Sequence, residues 1–270
     1  MPSAMNSANN ILISLSSFGA AEVRRHGQLY FTRLAHAAGA DGVEVRGELL
    51  VEPQTELPAI AEEARRRSLA LVYSSPEGLW TPAGEFDAAA LDRALQAAAL
   101  LGAPRLKMSI GAYRRQAAST LARLQDRLEG QDIALLIEND QTADAGSLGA
   151  LQAFFVDAAR LGFAPGMTFD MGNWHWTGEC PLQAAQAFAP QASYVHCKGV
   201  QRQPHRWVAV PLAESAAPWR AVLRALPAHV PWAIEYPLAG DDLESVTRSE
   251  VAALRALATG FAAELSGREG

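Results

Sequence analysis

The sequence predicts a single α/β domain closed as an eight-stranded parallel barrel, a (β/α)8 or TIM barrel. Three observations predict it. Eight short apolar runs recur along the 270 residues, amphipathic helical patterns separate them, and no Pro/Ser-rich linker, low-complexity tract or sequence repeat divides the chain.

The runs are ILISLSSF (11–18), GVEVR (42–46), LALVYSS (69–75), PRLKMSI (104–110), IALLIEND (133–140), GMTFDMGN (166–173), SYVHCK (193–198) and PWAIEYP (231–237). Their central residues lie 29, 28, 35, 31, 32, 26 and 39 positions apart, the spacing of successive βα units. Between the runs, apolar residues fall at helical intervals, as in Leu121, Leu124 and Leu128, or Leu148, Leu151 and Phe155 behind a Ser147 N-cap. Gly39, Gly102, Gly130 and Gly162 each stand between a helical pattern and a strand, where a left-handed C-cap favours glycine. Residues 242–264 supply the last helix. The barrel is expected over 11–270, and residues 1–10, MPSAMNSANN, as a mobile N-terminal segment. An open doubly wound sheet is the alternative, but the phosphate-binding glycine pattern expected after its first strand is absent.

Hydrophobic residues make up 49% of the chain and charged residues 19%, enough to bury a large core. The net charge of −6 and the lack of a basic run argue against a nucleic-acid partner. Two cysteines, Cys180 and Cys197, cannot build a disulfide scaffold and fit a reducing compartment. Neither a signal peptide nor a run of about 18 uncharged apolar residues is present, so no membrane partner and a cytoplasmic location are expected.

Side-chain parity locates a site. Alternate residues of a barrel strand face its interior, and polar residues in these runs share one parity late in each strand. They are Glu44 and Arg46, Lys107 and Ser109, Glu138 and Asp140, Thr168 and Asp170, His196 and Lys198, and Glu235. Barrel enzymes keep their chemistry at that C-terminal mouth. Facing carboxylates repel unless they are protonated or share a cation. Glu138, Asp170, His196 and Glu235 offer three carboxylates and an imidazole, a set suited to one divalent cation such as Mn²⁺, Mg²⁺ or Co²⁺. Zn²⁺, which favours thiolates and imidazoles, fits less well, and Cys197 has the wrong parity to join. Trp174, Trp176 and Trp207 are candidates either for packing or for stacking on a substrate at the mouth.

The ordered pieces DGVEVR (41–46), LKMSIG (106–111), IEND (137–140), FDMGNWHW (169–176), VHCK (195–198) and IEYPL (234–238) resemble the xylose-isomerase-like sugar phosphate isomerase/epimerase superfamily. That superfamily also includes AP endonuclease family 2, inosose dehydratases and ketose 3-epimerases. The resemblance implies that Glu138, Asp170, His196 and Glu235 hold one metal ion. It implies that Glu138 and Glu235 also move protons on opposite sides of the substrate, and that Glu44, Lys107 and Lys198 help hold it. Asn173 stands where many of these epimerases have a histidine, with His175 two residues on, and both are candidate substrate contacts. The segment CKGVQRQPHR lacks the acidic residue that often follows the lysine, so the substrate-gripping arginine is Arg202, Arg206 or neither.

The expected activity is a metal-dependent isomerase or epimerase acting on a small sugar or hydroxycarbonyl compound through an enediolate. The alternatives are a dehydratase of the inosose-dehydratase type and a non-catalytic sugar-binding relative; assembly into homo-oligomers is compatible with either. A trinuclear-zinc nuclease is disfavoured by the six histidines and the acidic charge.

Overall fold

The structure is a computed structural model that describes residues 10–115 and 118–266. Most of the N-terminal segment expected to be mobile, residues 1–9, lies outside the described residues. In chain order the elements are β1 (Ile11–Ser14), α1 (Ala20–His26), α2 (Gln28–Ala37), β2 (Gly42–Arg46), α3 (Pro53–Arg67), β3 (Ala70–Trp80), α4 (Ala88–Leu101), β4 (Arg105–Gly111), α5 (Ala118–Leu128) and β5 (Ala134–Glu138). They continue with α6 (Ala143–Gly146), α7 (Leu148–Arg160), β6 (Gly166–Asp170), α8 (Pro181–Phe188), β7 (Ala192–Cys197), β8 (Gly199–Gln203), β9 (Arg206–Val210), α9 (Trp219–Ala225), β10 (Trp232–Ile234) and α10 (Leu243–Ser266).

Strands β1 to β7 and β10 close a barrel in the order β1-β10-β7-β6-β5-β4-β3-β2. Every neighbouring pair is parallel, as crossover helices require. The eight apolar runs thus become the eight barrel strands. Strands β8 and β9 form a separate antiparallel hairpin after β7, which the sequence had not shown as strands. Ser147 caps α7 by accepting a hydrogen bond from the Ala150 amide, and Gly39, Gly102, Gly130 and Gly162 all have positive φ. Among the described residues no helix is long and apolar enough to cross a membrane.

Strand parity divides the molecule into two apolar layers. Outward residues such as Val43, Val45, Leu106, Met108, Ile137, Phe169, Val195, Cys197 and Ile234 pack beneath the helices. Inside the barrel, Leu12, Val72, Leu136, Tyr194 and Ala233 form a small separate cluster. That cluster plugs the barrel one layer below the polar residues and gives them a dry floor. Glu44, His196 and Asp170 each lie two residues further along their strands than inward Gly42, Tyr194 and Thr168, so alternation lifts them onto the next layer.

Several strands end sooner than the apolar runs suggest. Strand β6 stops at Asp170 because its Oδ1 accepts the amides of Gly172 at 2.8 Å and Asn173 at 2.9 Å, turning the chain into a 3-10 segment, Asn173–His175. Strand β1 likewise gives way to a 3-10 turn over Leu15–Phe18.

Candidate metal centre and active site

Residues from five barrel strands, β2 and β4 to β7, and the positions just after β7 and β10 converge at the mouth. His196 is fully buried on β7, and its two ring nitrogens face different groups. Nε2 lies 2.7 Å from Glu44 Oε2. Nδ1 lies 3.1 Å from Glu138 Oε1, 3.0 Å from Glu235 Oε2 and 3.7 Å from Asp170 Oδ2. One ligand-capable atom from each of Glu138, Asp170, His196 and Glu235 falls within 4.8 Å of the others.

Each carboxylate is anchored by a neighbour that occupies one oxygen. Asp170 Oδ1 is held by the backbone amides of Gly172 and Asn173, leaving Oδ2 toward His196 and Lys198 Nζ, the latter at 2.7 Å. Glu235 Oε1 accepts from Arg46 Nη1 at 2.7 Å, while its Oε2 lies 2.6 Å from Lys198 Nζ. Glu138 Oε1 accepts from Lys107 Nζ at 2.8 Å, and the same ammonium reaches Glu44 Oε1 at 3.0 Å. Behind them, the Asn139 amide both accepts from the Asp170 N–H and donates to the Asp170 carbonyl, each at 2.9 Å, locking the turn that aims Asp170 inward.

Burial pushes the Glu44, Glu138 and Glu235 carboxyls up, but the facing cations outweigh it and hold all three below the usual carboxylate range. For Glu138 the first of these is Lys107; for Glu44 and Glu235 it is His196. Asp170 behaves differently: burial raises it, and Lys198 only partly offsets that. His196 is penalised by burial yet raised well above an ordinary imidazole by Glu235 and Glu44. The environment around Nδ1 therefore attracts positive charge.

Two observations show that these residues fit a divalent ion. Four carboxylates, those of Glu44, Glu138, Asp170 and Glu235, face three permanent cations, Arg46, Lys107 and Lys198, which leaves one negative charge for a proton on His196 or a bound cation to balance. The buried Nδ1 of His196 and Oε2 of Glu235 make no well-aligned hydrogen bond within the chain, although both point into the cluster. Three oxygens and one nitrogen suit a hard or borderline divalent ion.

The remaining predicted site residues distribute unevenly. Glu44 is sealed beneath His196 and offers no open surface to a substrate. Lys107 is 1% exposed and bridges two carboxylates. Lys198 lies at the rim, its stem packed against Gly172, and also lines a cavity of about 130 Å³ together with Met171, His175, Pro181 and Trp219. Asn173 is buried in structural hydrogen bonds: its Oδ1 accepts from Lys198 Nζ and Gln141 Nε2, and its Nδ2 donates to the Asn139 carbonyl. Trp174, a substrate candidate from sequence, is fully buried on the outer side, stacked on Phe188 at 6.0 Å and tilted against Phe169 at 5.6 Å; it is a packing residue. The 3-10 turn after Asp170 breaks the strand alternation and swings this side chain away from the mouth.

His175 and Trp176 are partly exposed, and His175 lies 4.8 Å from the Trp207 ring of the hairpin. Arg202 is exposed on β8 with its guanidinium 5.2 Å from that same ring. The arginine within the cluster is Arg46, visible in the GVEVR alternation but without an assigned role. Asn139 was also missed; only its position between Glu138 and Asp140 in IEND marked it.

A closed parallel barrel with an inward carboxylate–imidazole cluster at its C-terminal mouth defines a class: (β/α)8 proteins with a cluster there that could hold a metal ion. The chain belongs to the xylose isomerase-like TIM barrel family, whose model matches residues 32–257. Among curated proteins none matches it. Solved structures share its fold at low identity. One is a xylose isomerase-like TIM barrel/4-hydroxyphenylpyruvate dioxygenase fusion protein, with TM-score 0.74 and 13% identity over 97% of this chain; this chain spans 44% of that one. Another is an L-ribulose 3-epimerase, with TM-score 0.69 and 15% identity over 96% of this chain and 98% of that one. A third is a probable 3-DHS dehydratase from Bacillus anthracis, with TM-score 0.64 and 14% identity over 91% and 98%.

Proposed function

We propose that this chain is a divalent-metal-dependent isomerase or epimerase that removes a proton α to a carbonyl of a small sugar or hydroxycarbonyl compound. The observation that carries this reading is the buried His196 Nδ1, which makes no well-aligned hydrogen bond yet faces oxygens of Glu138, Asp170 and Glu235. His196, Asp170, Glu138 and Glu235 would hold the ion. A divalent ion there supplies Lewis-acid polarisation of the carbonyl and charge compensation for a developing enediolate.

The chain's own residues account for the rest. Glu138 and Glu235 are held ionised, the state a general base requires, and both reach the same small volume. Proton return to the other face of the same carbon epimerises; return to the neighbouring carbon isomerises. The apolar floor of Leu12, Val72, Leu136, Tyr194 and Ala233 excludes water from below. Lys198, held cationic beside Glu235, favours a second reading, in which its ammonium stabilises a departing β-hydroxyl that leaves as water with the proton the glutamate base took from the α-carbon, and the product is dehydrated.

The test incubates chelator-treated, Mn²⁺-reloaded protein with ketoses, inososes and hydroxycarbonyl acids in D₂O. The proposal expects metal-dependent deuterium at the carbon α to the carbonyl in one substrate class. Loss of water from substrate supports the dehydratase reading, and no exchange or conversion by metal-loaded protein rejects both.

A further inference from the structure

The Glu44 carboxylate was expected to touch substrate, yet it is the most completely tied group in the cluster. It is fully buried, as is His196. Its Oε1 is held by Lys107 Nζ at 3.0 Å, Arg46 Nη1 at 3.2 Å and Ser14 Oγ at 3.4 Å. The carboxylate therefore cannot rotate without breaking three contacts. Only Oε2 remains, and it meets His196 Nε2 at 2.7 Å. The imidazole plane is fixed independently by Tyr194, whose ring lies edge-on at 5.1 Å and 79°.

A neutral imidazole carries one N–H and one lone pair, on opposite nitrogens. A carboxylate can only accept, so the nitrogen facing Glu44 must be the donor. The lone pair is then left on Nδ1, the atom directed at Glu138, Asp170 and Glu235. Without that acceptor, the two tautomers compete, and the one with its proton on Nδ1 is unable to bind an ion.

We propose that Glu44 is a positioning residue that sets the His196 tautomer, with Lys107, Arg46 and Ser14 fixing Glu44 in turn. This rests on reading the four-residue cluster as a metal site. Glu44 acts through His196 and meets neither metal nor substrate. Carboxylates that hold a metal-binding imidazole in this way typically change metal affinity by about 10–100-fold when removed.

The experiment compares the full chain with its E44Q and E44L variants. Zn²⁺ affinity is measured calorimetrically, and the tautomer is read by ¹⁵N NMR of Zn²⁺-loaded, histidine-labelled protein. Both variants lose the charge, but only glutamine keeps an acceptor for Nε2–H. The proposal expects Nε2 protonated and Nδ1 shifted by the ion in the wild type and in E44Q. It expects E44L to lose the defined Nε2–H signal and to bind about 10–100-fold more weakly than wild type. Equal weakening in E44Q and E44L, or wild-type affinity in E44L, overturns it. So does a wild-type spectrum in which Nε2 carries the ion, a result that needs neither variant to fold. If wild-type protein binds neither Zn²⁺ nor Mn²⁺, the metal reading itself fails and this proposal falls with it.

Discussion

Arg46 Nη1 stands 2.7 Å from Glu235 Oε1, joining the second barrel strand to the residue that follows the last one. The two are 189 positions apart in sequence and meet only because β1 lies between β2 and β10 in the closed barrel. The contact occupies one oxygen of Glu235 and leaves the other toward His196 Nδ1. R46M is expected to free the carboxylate and weaken Mn²⁺ binding by about 10–100-fold while the barrel still folds. Calorimetric titration alongside circular dichroism checks it; unchanged affinity in a folded variant would show that Arg46 does not position Glu235.

Glu138→Gln and Glu235→Gln test the proton-transfer roles. Each swap keeps shape and removes a charge, so turnover should fall by about two to four orders of magnitude. Metal content must be measured in parallel. The variant that keeps its ion yet loses deuterium exchange identifies the base, and near-normal turnover in both rejects the enediolate reading.

Much of this cluster was legible because strand parity is a local property. Alternation in GVEVR, LKMSIG, IEND and VHCK already put Glu44, Arg46, Lys107, Glu138 and His196 on one face. Parity gives the face but neither the depth nor which groups meet across the barrel. Closure therefore decided that Glu44 meets the far nitrogen of His196 and that Arg46 reaches Glu235. Parity also fails where a strand ends: the Asp170 carboxylate captures the next amides, and Trp174 rotates out into the core. The hairpin β8–β9 was not legible as strands, because two five-residue strands pairing only with each other add no βα spacing to the pattern.

Trp174→Ala separates packing from binding. Removing a fully buried indole between Phe169 and Phe188 should cost about 3–5 kcal/mol of stability. Denaturant unfolding measures that loss. The folded fraction should keep wild-type Mn²⁺ affinity, and a weakened metal site with unchanged stability would contradict the packing assignment.

Glu63 on α3 offers a pH test away from the mouth. Its hydrogen bond with Arg67 lowers its carboxyl below the ordinary value against an opposing push from burial, and Arg66 and Arg33 add to the lowering. A depressed carboxyl contributes stability that is present above its unfolded pKa and is lost as pH falls through the folded one. E63Q should therefore be less stable than wild type by about 1 kcal/mol near pH 7, with the gap closing below about pH 4. Urea midpoints across that range check the sign; a gap that widens on acidification would refute it.

The most direct test of the metal centre is stoichiometric titration of the chelator-treated chain with Mn²⁺, read by calorimetry and by loss of the free-ion paramagnetic resonance signal. One ion per chain is expected for wild type, and none at comparable concentration for a variant carrying both Asp170→Asn and Glu235→Gln. Absence of binding in wild type, or equal binding in a folded double variant, would contradict the assignment of the ion to Glu138, Asp170, His196 and Glu235.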